Sequence, residues 1–158
     1  MTTAPITPLT PAERRVADHL VRGLEPRAIA AETGLSSNTV SSYVRTIRAK
    51  LHCPTRSAPH VLVHHLLSSG QATPPSATEP TPDLTPARRL LLRAFAEHTS
   101  PYDVARDARI APADVRAEAD TLLAETGADD ATRLVVLAHV WGFLGAGRET
   151  TIPAEARR

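Results

Sequence analysis

The chain has 158 residues, a formal net charge of +1, 42% hydrophobic and only 3% aromatic residues, fourteen prolines and one cysteine. A lone Cys53 excludes an internal disulfide, and the longest apolar run, Leu134 to Leu144, is interrupted by His139 and too short to cross a bilayer. The start, MTTAPITPLTPAE, has no basic end followed by an apolar run, so export is not expected and a cytoplasmic protein is.

In chain order, Thr10 is placed to cap a first helix, with Pro11 at its first position and Glu13 at the third, where a glutamate reaches back to the cap's amide. Val16, Leu20 and Leu24 line one face. A second helix over Pro26 to Thr33 points Ile29 and Ala30 inward, and Gly34 follows where a tight turn wants a positive φ. Ser36 or Ser37 caps a third helix, from about Asn38 to Leu51, whose inward stripe is Val40, Val44, Ile47 and Leu51. That stripe leaves Ser41, Ser42 and Arg45 on the far side, with Arg48 and Lys50 toward the end and no acid between Asn38 and Leu51. Small polar groups flanked by cations, on a helix that follows a short helix and a glycine turn, suit entry into a DNA major groove. The same pattern also suits a solvated face on a small helical domain.

Gln71 to Asp83 (QATPPSATEPTPD) is polar and holds four prolines, which predicts a linker able to reach roughly 40 Å when extended. Beyond it, Leu9-Thr10-Pro11-Ala12 returns as Leu84-Thr85-Pro86-Ala87. An ungapped overlay of Leu9 to Leu51 on Leu84 to Thr126 gives ten identities, including Arg14/Arg89, Pro26/Pro101, Ala30/Ala105 and Val40/Val115. Apolar bulk is kept at Leu20/Phe95, Ile29/Val104, Leu35/Ile110 and Ile47/Leu122. The period is too long for a solenoid, so each copy reads as a domain. Three helices are expected again over Leu84 to His98, Pro101 to Arg109 and Pro112 to Thr126, with a fourth over Thr132 to Leu144.

The two copies differ in charge. Residues 1 to 70 carry eight basic and four acidic side chains, and residues 71 to 158 carry ten and thirteen. Asn38 to Leu51 nets +3, whereas Ala113 to Thr126 holds Asp114, Glu118, Asp120 and Glu125 against Arg116 alone. Ser41, Ser42 and Arg45 are matched by Arg116, Ala117 and Asp120, and an aspartate there opposes approach to phosphate. Arg109 stands where the first copy has Gly34, a cost of about 1 kcal/mol if the left-handed turn is kept.

The string LTPAERRVADHLVRGLEPRAIAAETGLSSNTVSSYVRTIRAKL resembles the LuxR-type (GerE-like) DNA-binding domain. Leu9, Thr10, Glu13, Val16, Gly23, Ile29, Ala30, Leu35, Ser36, Thr39, Val40, Tyr43, Ile47, Lys50 and Leu51 fall in register with that family's pattern. The resemblance implies a four-helix unit whose third helix reads bases through Ser41, Ser42 and Arg45. It implies phosphate contacts at Asn38, Thr39, Thr46, Arg48, Lys50 and Arg56, and a fourth helix near Val61 to Leu67. Arg15 and Pro59 depart from the pattern, away from the reading face.

The expected fold is therefore all-α: two tandem four-helix LuxR-type helix-turn-helix domains joined by a Pro-rich linker. The expected boundaries are 1–70, a linker 71–83, a diverged domain 84–148 and a tail 149–158. The expected function is sequence-specific DNA-binding transcriptional regulation. In the resembled family the fourth helix pairs between subunits, and Leu134 to Leu144 is apolar around its whole circumference. Self-association is expected there through Leu137, Val140, Trp141, Phe143 and Leu144, giving a homodimer on double-stranded DNA with an inverted repeat as target. RNA polymerase or another regulator is a further possible partner. Two other readings use the same features: an interaction adaptor with weak DNA contact, and an autoinhibited regulator whose acidic second domain masks the first. No enzyme, cofactor or membrane association is expected. His60, His64 and His65 near Cys53 lack the paired spacing of metal ligands, so no metal is expected either.

Overall fold

A computed structural model describes residues 7–54, 56–76 and 79–144. Among these residues the chain is all-helical, with eight α-helices and no strand. The tail expected over 149–158 lies outside the described residues.

The first half follows its local signals. Helix α1, Pro11–Val21, opens on a capping box. The Glu13 amide donates to Thr10 Oγ1 at 3.2 Å and the Thr10 amide donates to Glu13 Oε1 at 2.9 Å, so two otherwise orphaned donors are satisfied. Helix α2, Pro26–Thr33, ends on Gly34 at φ 78°, a left-handed turn that a residue without Cβ adopts freely. Helix α3, Ser37–Lys50, is capped by Ser36, whose Oγ accepts the Thr39 amide at 3.1 Å. Val40, Val44, Ile47 and Leu51 are buried, as the spacing predicts. Helix α4, Pro59–Ser68, begins on Pro59, where the missing N–H would have had no helical partner anyway.

The second half comprises α5 (Pro86–Glu97), α6 (Pro101–Ala108), α7 (Val115–Thr126) and α8 (Ala131–Val140). Helix α6 turns out of its last residue through Arg109 at φ 64°, the position matched to Gly34. Pro112–Asp114 forms a single 3-10 turn before α7, so that helix starts later than the sequence suggests; Pro112 supplies the fixed φ at the turn's entry. Helix α8 is also shorter than expected. Gly142, at φ 85°, stops it, and the Phe143 and Leu144 amides fold back to the Ala138 carbonyl at 2.9 and 3.3 Å, as in a Schellman-type termination.

The two halves meet along their fourth helices. Helix α4 packs on α1 of its own half and on α5 and α8 of the other, while α8 packs on α4, α5 and α7. Leu134, Val135, Val136, Leu137 and Ala138 have no exposed surface. Each Leu or Val so buried contributes about 1.5–3 kcal/mol of transfer free energy. The buried residues of both halves join into one core.

Cover for the apolar residues of α8 comes from within the chain. Leu137 and Leu144 are buried, and Val140, Trp141 and Phe143 are partly buried against the same core. The Trp141 indole N–H donates to the Glu79 carbonyl at 3.2 Å, and the Arg89 guanidinium lies 5.5 Å from the Phe143 ring centre. The apolar circumference that seemed to need a partner has one in α4.

The linker departs from a free spacer too. Gln71 Oε1 accepts the Leu9 amide at 3.2 Å and Arg14 Nη2 at 3.3 Å, and Ala72 is buried. At its other end Glu79 pairs with Arg133 at 2.8 Å. Both ends are thus fastened to the helical body.

Candidate nucleic-acid interface

Helix α3 is anchored by its inward stripe, which fixes what the opposite face presents. Ser37, Asn38, Thr39, Ser41, Ser42, Arg45 and Thr46 are exposed, and so is Arg56 in the loop before α4. Ser41, Ser42 and Arg45 lie on one side of the helix, at i, i+1 and i+4. Arg45 has no hydrogen-bond or ion-pair partner among the described residues, so its guanidinium is free to make a bidentate contact.

Two of the cations expected at phosphates are already engaged. Lys50 Nζ lies 2.6 Å from Glu13 Oε1, joining the end of α3 to the start of α1. Burial of Glu13 pushes its carboxyl pKa upward, but the Lys50 hydrogen bond and the Thr10 amide outweigh that and hold it below the ordinary carboxylate value. Arg48 Nε donates to Ser57 Oγ at 3.2 Å and Arg48 Nη2 to the Ser57 carbonyl at 2.9 Å, tying α3 to the turn before α4. Lys50 is therefore a structural cation, and Arg48 has only part of its fork left for a ligand. Both partnerships escape a reading of α3 alone, because Glu13 lies 37 residues from Lys50 in the chain.

The matched positions of the second half hold the same ion pair with its signs exchanged. Arg88, matched to Glu13, bonds Glu118 and lies 3.3 Å from Glu125, which is matched to Lys50. The overlay of the two copies contains this exchange, and it was the available signal. Helix α7 exposes Arg116, Ala117, Asp120 and Thr121, and Asp114 is exposed in the turn before it. It packs on α5, α6 and α8 rather than against α3.

A cleft of about 710 Å³ runs beside α3, bounded by Leu20, Leu24, Arg45 and Arg48 and closed by Asp130, Ala131 and Thr132 at the start of α8. A cleft of about 480 Å³ in the second half is bounded by the matched Phe95, Thr99, Asp120 and Leu123 and includes His60 from the start of α4. Each half's cleft is thus walled by the other half's fourth helix.

His60, His64 and His139 belong to the seam between the halves. His64 Nδ1 and His139 Nε2 are 3.0 Å apart, one donating and the other accepting according to tautomer. Burial lowers both pKa values, that of His64 to about 3, with His139, His65 and His60 adding repulsion, and that of His139 to about 4. His60 stacks on Phe95 at 4.5 Å between ring centres, and burial lowers its pKa as well. Cys53 is buried, and its thiol is pushed up to about 11, so it carries no thiolate at neutral pH.

Among the described residues, the one group of three potential metal-ligating side chains is Glu97, His98 and Asp107. His98 Nε2 lies 2.6 Å from Asp107 Oδ2, and Arg106 lies 3.1 Å from the other oxygen of that carboxylate. These contacts hold the Asp107 pKa below its ordinary value, and a cation already occupies the carboxylate's neighbourhood.

A short helix, a turn through a left-handed glycine and a second helix with an exposed polar and basic face make up a helix-turn-helix unit. Residues 7–63 match the GerE family model, described as bacterial regulatory proteins of the luxR family. That match spans α1, α2, α3 and the first residues of α4, so the first half is similar to a LuxR-type helix-turn-helix domain. No curated protein and no solved structure matches the chain. No helix among the described residues is long and apolar enough to cross a membrane.

Proposed function

We propose that the protein is a sequence-specific DNA-binding transcriptional regulator that inserts α3 into a major groove. The observation that carries this reading is Arg45, without a partner among the described residues and set beside exposed Ser41 and Ser42 on a helix without an acidic residue. An arginine fork matches the O6 and N7 acceptors of guanine, and two short serines leave it room to reach them. Asn38, Thr39, Thr46 and Arg56 surround that centre at exposed positions suited to phosphate. Such a role belongs to the cytoplasm.

The second half, on this reading, is a diverged copy kept for its fourth helix. It serves α4 as a covering partner, and its acidic α7 makes no base contacts. Masking of α3 by α7 is not favoured, because α7 packs within its own half. An adaptor that binds other regulators without DNA is disfavoured by the charge of α3.

Fluorescence anisotropy of labelled genomic duplexes across a salt series tests the reading. Binding should weaken as salt rises, with a log–log slope of roughly −2 to −3 if Arg45, Arg48 and Arg56 are the cations that displace counterions. Affinity independent of salt, or confined to protein partners, would favour the adaptor.

A further inference from the structure

We infer that the chain recognises DNA as a single copy and reads one asymmetric half-site, because α8 already covers α4 and little apolar surface is left for a second copy. The inference rests on the DNA reading above and concerns the form of the target.

The first observation is a contact between matched residues. His64 and His139 are separated by 75 residues, the spacing of the two copies, and they touch at 3.0 Å. In a two-fold arrangement a position meets its own equivalent only at the axis. Together with the reciprocal closing of the two clefts, this places an approximate dyad between α4 and α8. The chain is built as a dimer folded into one polypeptide.

The second observation is that little apolar surface remains for another copy. On α4, Val61, Leu62, Val63 and Leu66 are buried, and on α8 the run Leu134 to Ala138 has no exposed surface. The large hydrophobic residues exposed among the described residues are Leu90 and Tyr102, one on α5 and one on α6. A stable dimer interface needs about 1,000 Å² or more of well-packed surface, which scattered exposed side chains do not supply.

The third observation is the asymmetry of the two heads. A symmetric dimer reads an inverted repeat because both heads present the same side chains about one helical turn apart. Here the matched heads present Ser41, Ser42 and Arg45 on one side and Arg116, Ala117 and Asp120 on the other. Asp120 on α7 and Asp114 in the turn before it are exposed, where phosphate repels them. The second head therefore adds no second half-site, and it disfavours duplexes that bend toward it.

The test uses the full chain in two arms. Light scattering at high micromolar concentration should give the mass of one chain. Selection from a random-sequence duplex library, followed by native mass spectrometry of the winning complex, should give a motif without two-fold symmetry and one chain per duplex. A palindromic motif carrying two chains, or a dimeric mass in the free protein, overturns the inference while leaving DNA binding intact. Failure to enrich any sequence removes the DNA reading itself, and the inference with it. As a control that leaves α3 and the seam untouched, Arg116→Ala should leave the selected motif unchanged; a changed base preference would show that the second head reads DNA.

Discussion

Helices α3 and α7 stand at matched places in the two halves, yet one presents Ser41, Ser42 and Arg45 and the other presents Arg116, Ala117 and Asp120. Beneath those faces the supports agree. A left-handed residue ends the preceding helix in both, glycine at 34 and arginine at 109, with φ values of 78° and 64°. An ion pair clamps the end of each third helix to the first helix, Glu13 with Lys50 and Arg88 with Glu125. The fold asks for opposite charges at that clamp and is indifferent to which end carries which sign. It asks nothing of the outer face, so that face can differ between the halves without loss of the scaffold.

The largest expected effect breaks the comparison at the seam. Leu137→Ala should cost about 2–5 kcal/mol, since the side chain is wholly buried where α8 packs. Because the two halves share one core, urea unfolding followed through Trp141 and through far-ultraviolet circular dichroism should shift as one transition. Separate transitions for the two probes would mean that the halves fold independently.

Acid should open the same seam. The His64 and His139 pKa values are depressed from 6.5 to about 3 and about 4, so below pH 6.5 the unfolded chain binds protons that the folded chain does not. Stability should be fully present above that pH and decline as pH falls toward 3. His139→Gln should flatten the decline, and an unchanged slope would locate the titration elsewhere, His60 and His65 being the neighbours to examine. Glu13 acts in a separate, lower window, because its depressed pKa keeps its contribution present above the ordinary carboxylate value.

Next in size is the contrast between the heads. Arg45→Ala should cost about 1–3 kcal/mol on the selected duplex and far less on random DNA, whereas Asp120→Ala should cost nothing on either. Equal losses of Arg45→Ala on both duplexes would reduce Arg45 to a phosphate contact.

The clamp offers a sharper probe. Glu13→Arg should destabilise by about 1–2 kcal/mol through loss of the capping-box acceptor and repulsion from Lys50. Adding Lys50→Glu should recover part of that loss by installing the second half's polarity, as urea midpoints would report. A double variant no more stable than Glu13→Arg alone would mean that the matched clamps are not interchangeable. Smallest is the turn: Arg109→Gly should stabilise by up to about 1 kcal/mol and Gly34→Ala should cost a similar amount, both readable in thermal midpoints.

Most of the first half was legible in its residues. The Thr10–Glu13 box, Gly34, the Ser36 cap and the Val40–Val44–Ile47–Leu51 stripe are local signals, and local signals set local geometry. The stripe fixes the opposite face as well, so the exposure of Ser41, Ser42 and Arg45 followed from it. The Lys50 clamp and the Arg48–Ser57 bonds were not legible from α3, since each joins side chains supplied by different segments. The apolar circumference of α8 was read correctly as needing cover, but periodicity identifies a surface and not its occupant. The prolines of 71–83 suggested reach, whereas Gln71 and Glu79 bond to the helical body and take that reach away.

The tethering of α8 to α4 also removes dilution as a variable. Two separate chains would lose their pairing as concentration falls below the dissociation constant, but a partner held on the same polypeptide by a short connection faces an effective concentration in the millimolar range. The seam should therefore be as complete in a cell holding a few copies as in one holding thousands. Between those extremes, the amount of folded, covered α4 rises in simple proportion to the amount of protein made.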